Sequence, residues 1–166
     1  DKYQFLLPGF ELSKNFNNNL NLITNGYHKN YDTNVFEKVL INDLKFSSTP
    51  KISSSGFVNN YNLFFKNVTS DAKNSKEYNN SFRSQNFGSI IYDISYPMRN
   101  IKNSYKNLLT GKALIMYSPN KNKNIQNLDR RLNISNIYSS NRLGLDDSVE
   151  GGQSLTLGLD YELVNK

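Results

Sequence analysis

Residues 139–163 read SSNRLGLDDSVEGGQSLTLGLDYEL. In the second half Leu155, Leu157, Leu159, Tyr161 and Leu163 fall on one side, and Ser154, Thr156, Gly158, Asp160 and Glu162 on the other. Period two marks a β-strand with one dry face and one wet face. The first half gathers Arg142, Asp146, Asp147 and Glu150 around Gly144, Gly151 and Gly152. Such a loop is expected to hold one shape through a charge-assisted bond from Arg142 to one of the three carboxylates.

Working outward, the same alternation recurs in windows separated by polar clusters. Phe10 and Leu12 alternate with Glu11 and Ser13 after the Pro8-Gly9 interruption, and Leu20, Leu22 and Thr24 oppose Asn21, Ile23 and Asn25. Leu40, Leu44 and Phe46 oppose Asp43 and Lys45, while Phe57, Tyr61, Leu63 and Phe65 face away from Asn60, Asn62 and Lys66. Ile90, Tyr92, Ile94 and Tyr96 then oppose Ser89, Asp93 and Ser95, and Ala113, Ile115 and Tyr117 share one side. The stretches 29–34, 48–56, 69–84, 99–106 and 119–152 are rich in Asn, Ser, Lys and Asp and read as turns and loops. Asn25-Gly26 is a hairpin signal, but a turn there would cut a good window in two, so that turn is placed at 29–34.

The reading is all-β and antiparallel, with seven or eight strands over residues 1–166 as one piece of a single domain. The chain starts at Asp1 with no charged-then-apolar leader and is expected to be part of a longer protein. Its hydrophobic share is 37%, its aromatic share 13%, and its mean hydropathy −0.64. Abundant Tyr and Phe argue against disorder. A long apolar helix is missing, but a membrane barrel needs none, since its strands are apolar only at alternate positions. Aromatics at Phe10, Phe46, Phe57, Tyr96, Tyr117 and Tyr161 are expected near strand ends, where an interfacial girdle places them. A soluble β-sandwich also alternates, so sandwich and membrane wall both stand at this point.

The chemistry available is narrow. Cysteine is absent, so disulfides and thiolate metal sites are excluded, and His28 is the sole histidine. No Gly-x-Ser-x-Gly elbow accompanies it, and a surface role is expected. Asp146, Asp147 and Glu150 match no calcium-loop spacing, so neither catalysis nor a metal or other cofactor is expected. The net charge of +6 suits an anionic partner, although the Asn, Lys, Ile and Tyr enrichment of an AT-rich genome produces the same balance. Basic loops with interleaved tyrosine fit no nucleic-acid module, and no nucleic-acid partner is expected.

Three stretches in order, LLTGKALIMYSPNKNKN from Leu108, NIYSSNRLGLDDSVEGG from Asn136 and QSLTLGLDYEL from Gln153, resemble the barrel domain of the outer-membrane lipopolysaccharide-assembly protein family LptD, also called OstA. The N-terminal FLLPGFELSKNF looks like an earlier strand of that barrel. Gly111 stands where the family has proline, and Tyr138 where phenylalanine is usual. The resemblance implies a section of a very large transmembrane barrel in a Gram-negative outer membrane. With an LptE-like plug lipoprotein and an LptA-like periplasmic bridge protein, such a barrel passes lipopolysaccharide to the outer leaflet without making or breaking a bond. Leu155, Leu157, Leu159, Tyr161 and Leu163 would then face membrane lipid. Lys45, Lys66, Lys106 and Lys112 would be candidate lipopolysaccharide contacts. The alternatives are a sandwich binding glycan or nucleic acid and a small stand-alone barrel.

Overall fold

The computed structural model describes residues 4–31, 34–101, 105–124 and 131–165. Each alternating window becomes a strand, and the 48–56 stretch, read as a loop, adds the two-residue β4: β1 Gln4–Asn15, β2 Leu20–Tyr31, β3 Val35–Ser47, β4 Lys51–Ile52, β5 Val58–Lys73, β6 Arg83–Ile101, β7 Tyr105–Ser118 and β8 Gly152–Asn165. They form one antiparallel sheet in the order β1-β2-β3-β5-β6-β7-β8, with the two-residue β4 paired to β5. The sheet is open, and β1 and β8 are its edges.

Apart from the short β4, which β3 passes over to pair with β5, sequence neighbours pair with sequence neighbours, as an antiparallel meander requires. Strand ends run further than hydropathy suggests. Lys29, Asn30, Arg99 and Asn100 look like turn residues but lie on the ladder, because backbone pairing tolerates polar side chains that reach water. The connection from β2 to β3 is accordingly shorter than 29–34, since β2 runs to Tyr31 and β3 starts at Val35, and Asn25-Gly26 lies mid-strand opposite Leu40 and Ile41. Pro8 likewise does not end β1. The register shifts between Leu6 and Gly9, and such a bulge on an edge strand is where a residue without an N–H is accommodated. Two expected girdle positions, Phe10 and Tyr96, fall inside β1 and β6 rather than near their ends, because the strands are longer than their apolar windows.

Directly paired residues share a face, so the register separates two surfaces. One carries Leu44, Phe46, Leu63, Phe65, Ile90, Ile115, Leu155, Leu157, Leu159 and Leu163, nearly all exposed, with Leu157 at 70%. The other carries polar and charged side chains, yet it is the covered face. Two small apolar clusters lie there: Val39, Ile41 and Val68 under Tyr27, Tyr78 and Phe87, and Ile91, Leu114 and Met116 under Tyr138.

The exposed apolar band is oblique to the ladder. One row of paired residues runs Leu20, Phe46, Leu63, Ile90, Tyr117, Gln153. In β2 and β3 the apolar positions lie on this row and to one side of it, at Leu22, Leu44 and Leu40. In β6 and β7 they lie on the opposite side, from Ile90 to Met98 and from Tyr117 to Leu109, and in β8 they begin beyond the row at Leu155. The band therefore climbs by about one to two residues per strand, and strands about 4.8 Å apart and inclined roughly 45° to a level band require about 1.5.

Candidate functional site: the covered polar face

The described parts of the loop between β7 and β8, residues 119–124 and 131–151, fold back over the polar face, and their own chemistry explains how. Beyond Ser118, β6 loses β7 as a neighbour, and Asn120 replaces it: Gly88 N donates to Asn120 Oδ1 at 3.2 Å and Asn120 Nδ2 donates to Gly88 O at 3.0 Å. At 133–136 the Asn133 side chain accepts from the backbone of Ser135 and Asn136, an Asx turn built from a short acceptor side chain. Asn141 clasps Leu145 in both directions, Nδ2 to the carbonyl at 2.8 Å and Oδ1 from the amide at 3.0 Å. Gly144, at φ +59°, makes the sharp reversal inside that clasp, a left-handed conformation that costs glycine little. Leu145 and Val149 are thereby buried.

The bracing expected of Arg142 is present, and its partner is Glu150. Arg142 Nε donates to Glu150 Oε2 at 2.8 Å and Nη2 bonds Oε1, a bidentate pair with Arg142 only 7% exposed. This hydrogen bond raises the guanidinium's already high pKa, against the opposing effect of burial. Asp147 pairs instead with Lys123 at 2.5 Å, and the Asp146 backbone carbonyl accepts from Lys66 at 2.6 Å. Of Asp146, Asp147 and Glu150, two carboxylates and the Asp146 backbone carbonyl are thus each taken up by a cation of the chain itself. Gly151 lies where a Cβ would be 2.0 Å from Asn120 O, so the two ends of the loop touch only because glycine is there.

All four lysines singled out as contacts, Lys45, Lys66, Lys106 and Lys112, project on the polar side of the sheet. Their circumstances differ. Lys66 is 3% exposed, with Nζ 2.9 Å from Asp43 Oδ1, its direct cross-strand partner. An ammonium held there under the loop is not available to an external anion, a correction to its expected role, and the reason is that burial demands full pairing. Lys112 pairs with Asp160 and lies over the Tyr138 ring. Lys45 is exposed with Nζ 5.6 Å from the Phe64 ring centre, beside a cavity of about 220 Å³ reaching Asp93 and Tyr138, and makes no ion pair among the described residues. Lys106 is half-buried at the far end of β7.

Leu155, Leu157, Leu159, Tyr161 and Leu163 all lie on the exposed apolar face. His28 lies at that face's loop end, edge-on to Phe36 at 6.4 Å. Several residues that shape the covered face carry little sequence signal. Tyr138 seats its hydroxyl where a Gly158 Cβ would be, 1.7 Å away. Glu37, buried, accepts from Ser75 Oγ at 2.6 Å. Tyr78 docks the 74–82 connection on Val39, Ile41 and Val68, and burial pushes its hydroxyl well above the ordinary tyrosine range, reinforced by its hydrogen bond to Tyr27. Only Asp43 was discoverable, as a carboxylate in register with Lys66. The search of protein-family models and of curated proteins finds no match to this chain.

Proposed function

We propose that the chain is a section of a transmembrane wall in a Gram-negative outer membrane, serving lipopolysaccharide transport as in the LptD family it resembles. The observation that carries this reading is the inverted arrangement of the sheet. Its apolar face is bare and its polar face is covered. A soluble sandwich covers its apolar face with a second sheet and leaves the polar one to water, whereas a barrel turns apolar residues to lipid and polar ones to a lumen. The oblique climb of the apolar band supports it, because tilted strands meet a level bilayer in that way. By the usual asymmetry of such barrels, the end bearing the 74–82 and 119–151 connections is the outer end.

On this reading the covered face is lumenal, and the 119–151 loop narrows the lumen. A phosphate-rich lipid head passing it meets Lys45 and Lys121, both exposed, and not Lys66. No bond changes are involved. Photocrosslinking groups placed at Leu157, Leu63 and Lys45 of the complete protein in its native membrane test this. Leu157 and Leu63 are expected to capture bulk membrane lipid and Lys45 lipopolysaccharide. Capture of lipopolysaccharide at Leu157 and of bulk lipid at Lys45 would mean that the faces are exchanged, and release of the complete protein by alkaline carbonate without detergent would overturn the membrane reading.

A further inference from the structure

Between the two long connections, over the polar face, lies a cavity of about 270 Å³. Its floor is the wall itself, with Val68 and Ser70 of β5 buried and Phe87 of β6 half-buried beside Tyr78. Arg83 stands directly across the ladder from Ser70, and Gln85 from Val68, so β6 carries both along one side of the cavity. The 74–82 connection supplies Glu77 and Asn79, while the loop between β7 and β8 supplies Lys121, the Lys123–Asp147 ion pair and Ser148. The buried charges elsewhere on this face, Glu37, Lys66 and Arg142, are all bonded, as burial requires. The groups around this cavity are not. Ser148 is 4% exposed and its Oγ has no hydrogen-bond partner, and the side chains of Arg83, Gln85 and Lys121 make no bond or ion pair among the described residues.

We infer that this cavity is a binding site for a phosphorylated sugar, its phosphate held by Arg83 and Lys121 and its hydroxyls by Ser148, Gln85 and Asn79. Arginine's planar fork matches two phosphate oxygens at once, and lysine's compact ammonium takes a third. A bare phosphate would use those two cations and leave the Ser148 hydroxyl unbonded at the floor, a cost that a ligand's own hydroxyl removes. The three neutral side chains each donate and accept, which suits a polyol. Glu77 on the rim repels a phosphate but accepts from a hydroxyl, so it too favours an anion carried on a sugar over a free one. The volume lies just below that of sites for drug-sized molecules, which admits one sugar ring with its phosphate and not a long oligosaccharide. Tyr78, whose hydroxyl is engaged by Tyr27, and Phe87 give the ring an apolar surface to lie on. The site stands on this geometry alone. On the membrane reading it lies at the outer end of the lumen, and the sugar is one carried on the passing lipid head.

Calorimetry on the purified complete protein in detergent tests the site, with glucose 6-phosphate as the probe and inorganic phosphate and glucose as controls. Glucose 6-phosphate is expected to bind about tenfold more tightly than either control, or better. Arg83→Ala and Lys121→Ala should each weaken it by about tenfold, the loss of one charge-assisted bond, whereas Lys76→Ala, an exposed cation of the same connection outside the cavity, should not. Ser148→Ala removes an unbonded hydroxyl, so it should weaken binding by about three- to tenfold without lowering the melting temperature. A lowered melting temperature with unchanged binding would make that hydroxyl part of the fold and overturn its role here. Inorganic phosphate binding as tightly as glucose 6-phosphate, or no binding of either, overturns the inference and leaves the membrane reading untouched, since crosslinking at Leu157 and Lys45 tests that separately. A photoreactive group at Asn79 in the native membrane identifies the source of the sugar. Capture of lipopolysaccharide there, lost when glucose 6-phosphate is added, supports a lipid-borne sugar, and binding of glucose 6-phosphate without such capture supports a free sugar phosphate at the same site.

Discussion

At Gly158 and Tyr138 one hydroxyl decides whether loop and wall fit. A Cβ on Gly158 would stand 1.7 Å from the Tyr138 oxygen and 3.0 Å from its ring carbon, so Gly158→Ala must push the tyrosine off the Ile91, Leu114 and Met116 cluster. Overpacking of this kind costs about 1 to 3 kcal/mol. Because the worst clash is with the hydroxyl alone, Tyr138→Phe in the same chain should return most of that loss, and thermal melting of the four variants measures the coupling. Additive effects would mean that the two side chains do not meet. Arg142 offers a second case. Glu150→Ala strips a buried guanidinium of two charge-assisted bonds and should cost about 1 to 3 kcal/mol, whereas Asp146→Ala, whose side chain makes no bond among the described residues, should change little. Hydrogen exchange at Leu145 and Val149 would register the difference, and equal effects would refute the assignment of the brace.

Among elements, the 74–82 connection depends on a tyrosine that must stay protonated. Burial raises the Tyr78 pKa above the unfolded value of 10.0, so the neutral form is favoured in the folded state. The stability this group contributes is therefore complete below pH 10 and falls as pH rises through and beyond that value, since the unfolded chain then gains an ionisation that the folded one resists. An alkaline titration followed by tyrosinate absorbance should show one residue ionising last, together with loss of exchange protection in 74–82, and Tyr78→Phe should remove that coupled phase. Nothing in the sequence marked this residue. Strands were legible wherever hydropathy alternated without interruption, as in β8, and the Arg142 brace was legible because its partners lie within one loop. Strand ends at Asn30 or Asn100 were not, because a polar residue on a ladder looks like a turn. The burial of Lys66 was not either, because it depends on a loop eighty residues away laying the Asp146 carbonyl on its ammonium.

For the whole molecule, the oblique apolar band turns register into depth. If the wall is tilted in a bilayer, residues on one ladder row lie at different heights, and only those along the band's centre share the midplane. Leu63 and Tyr117 are on one row, joined through Ile90, yet Leu63 is central in the apolar stretch of β5 while Tyr117 is the last apolar residue of β7 before the polar Ser118. Leu157 lies on a different row but is again well inside its stretch. In the complete protein, Leu63→Arg and Leu157→Arg should each cost about 2 to 4 kcal/mol, the midplane value, and Tyr117→Arg about 0 to 1, the interfacial value. Reversible unfolding in lipid vesicles gives the three figures directly. An upright wall would make Leu63→Arg and Tyr117→Arg equal, and a water-facing surface would make all three small. The predicted order thus separates a tilted membrane wall from both, because cost follows the diagonal of the band and not the hydrogen-bonded row.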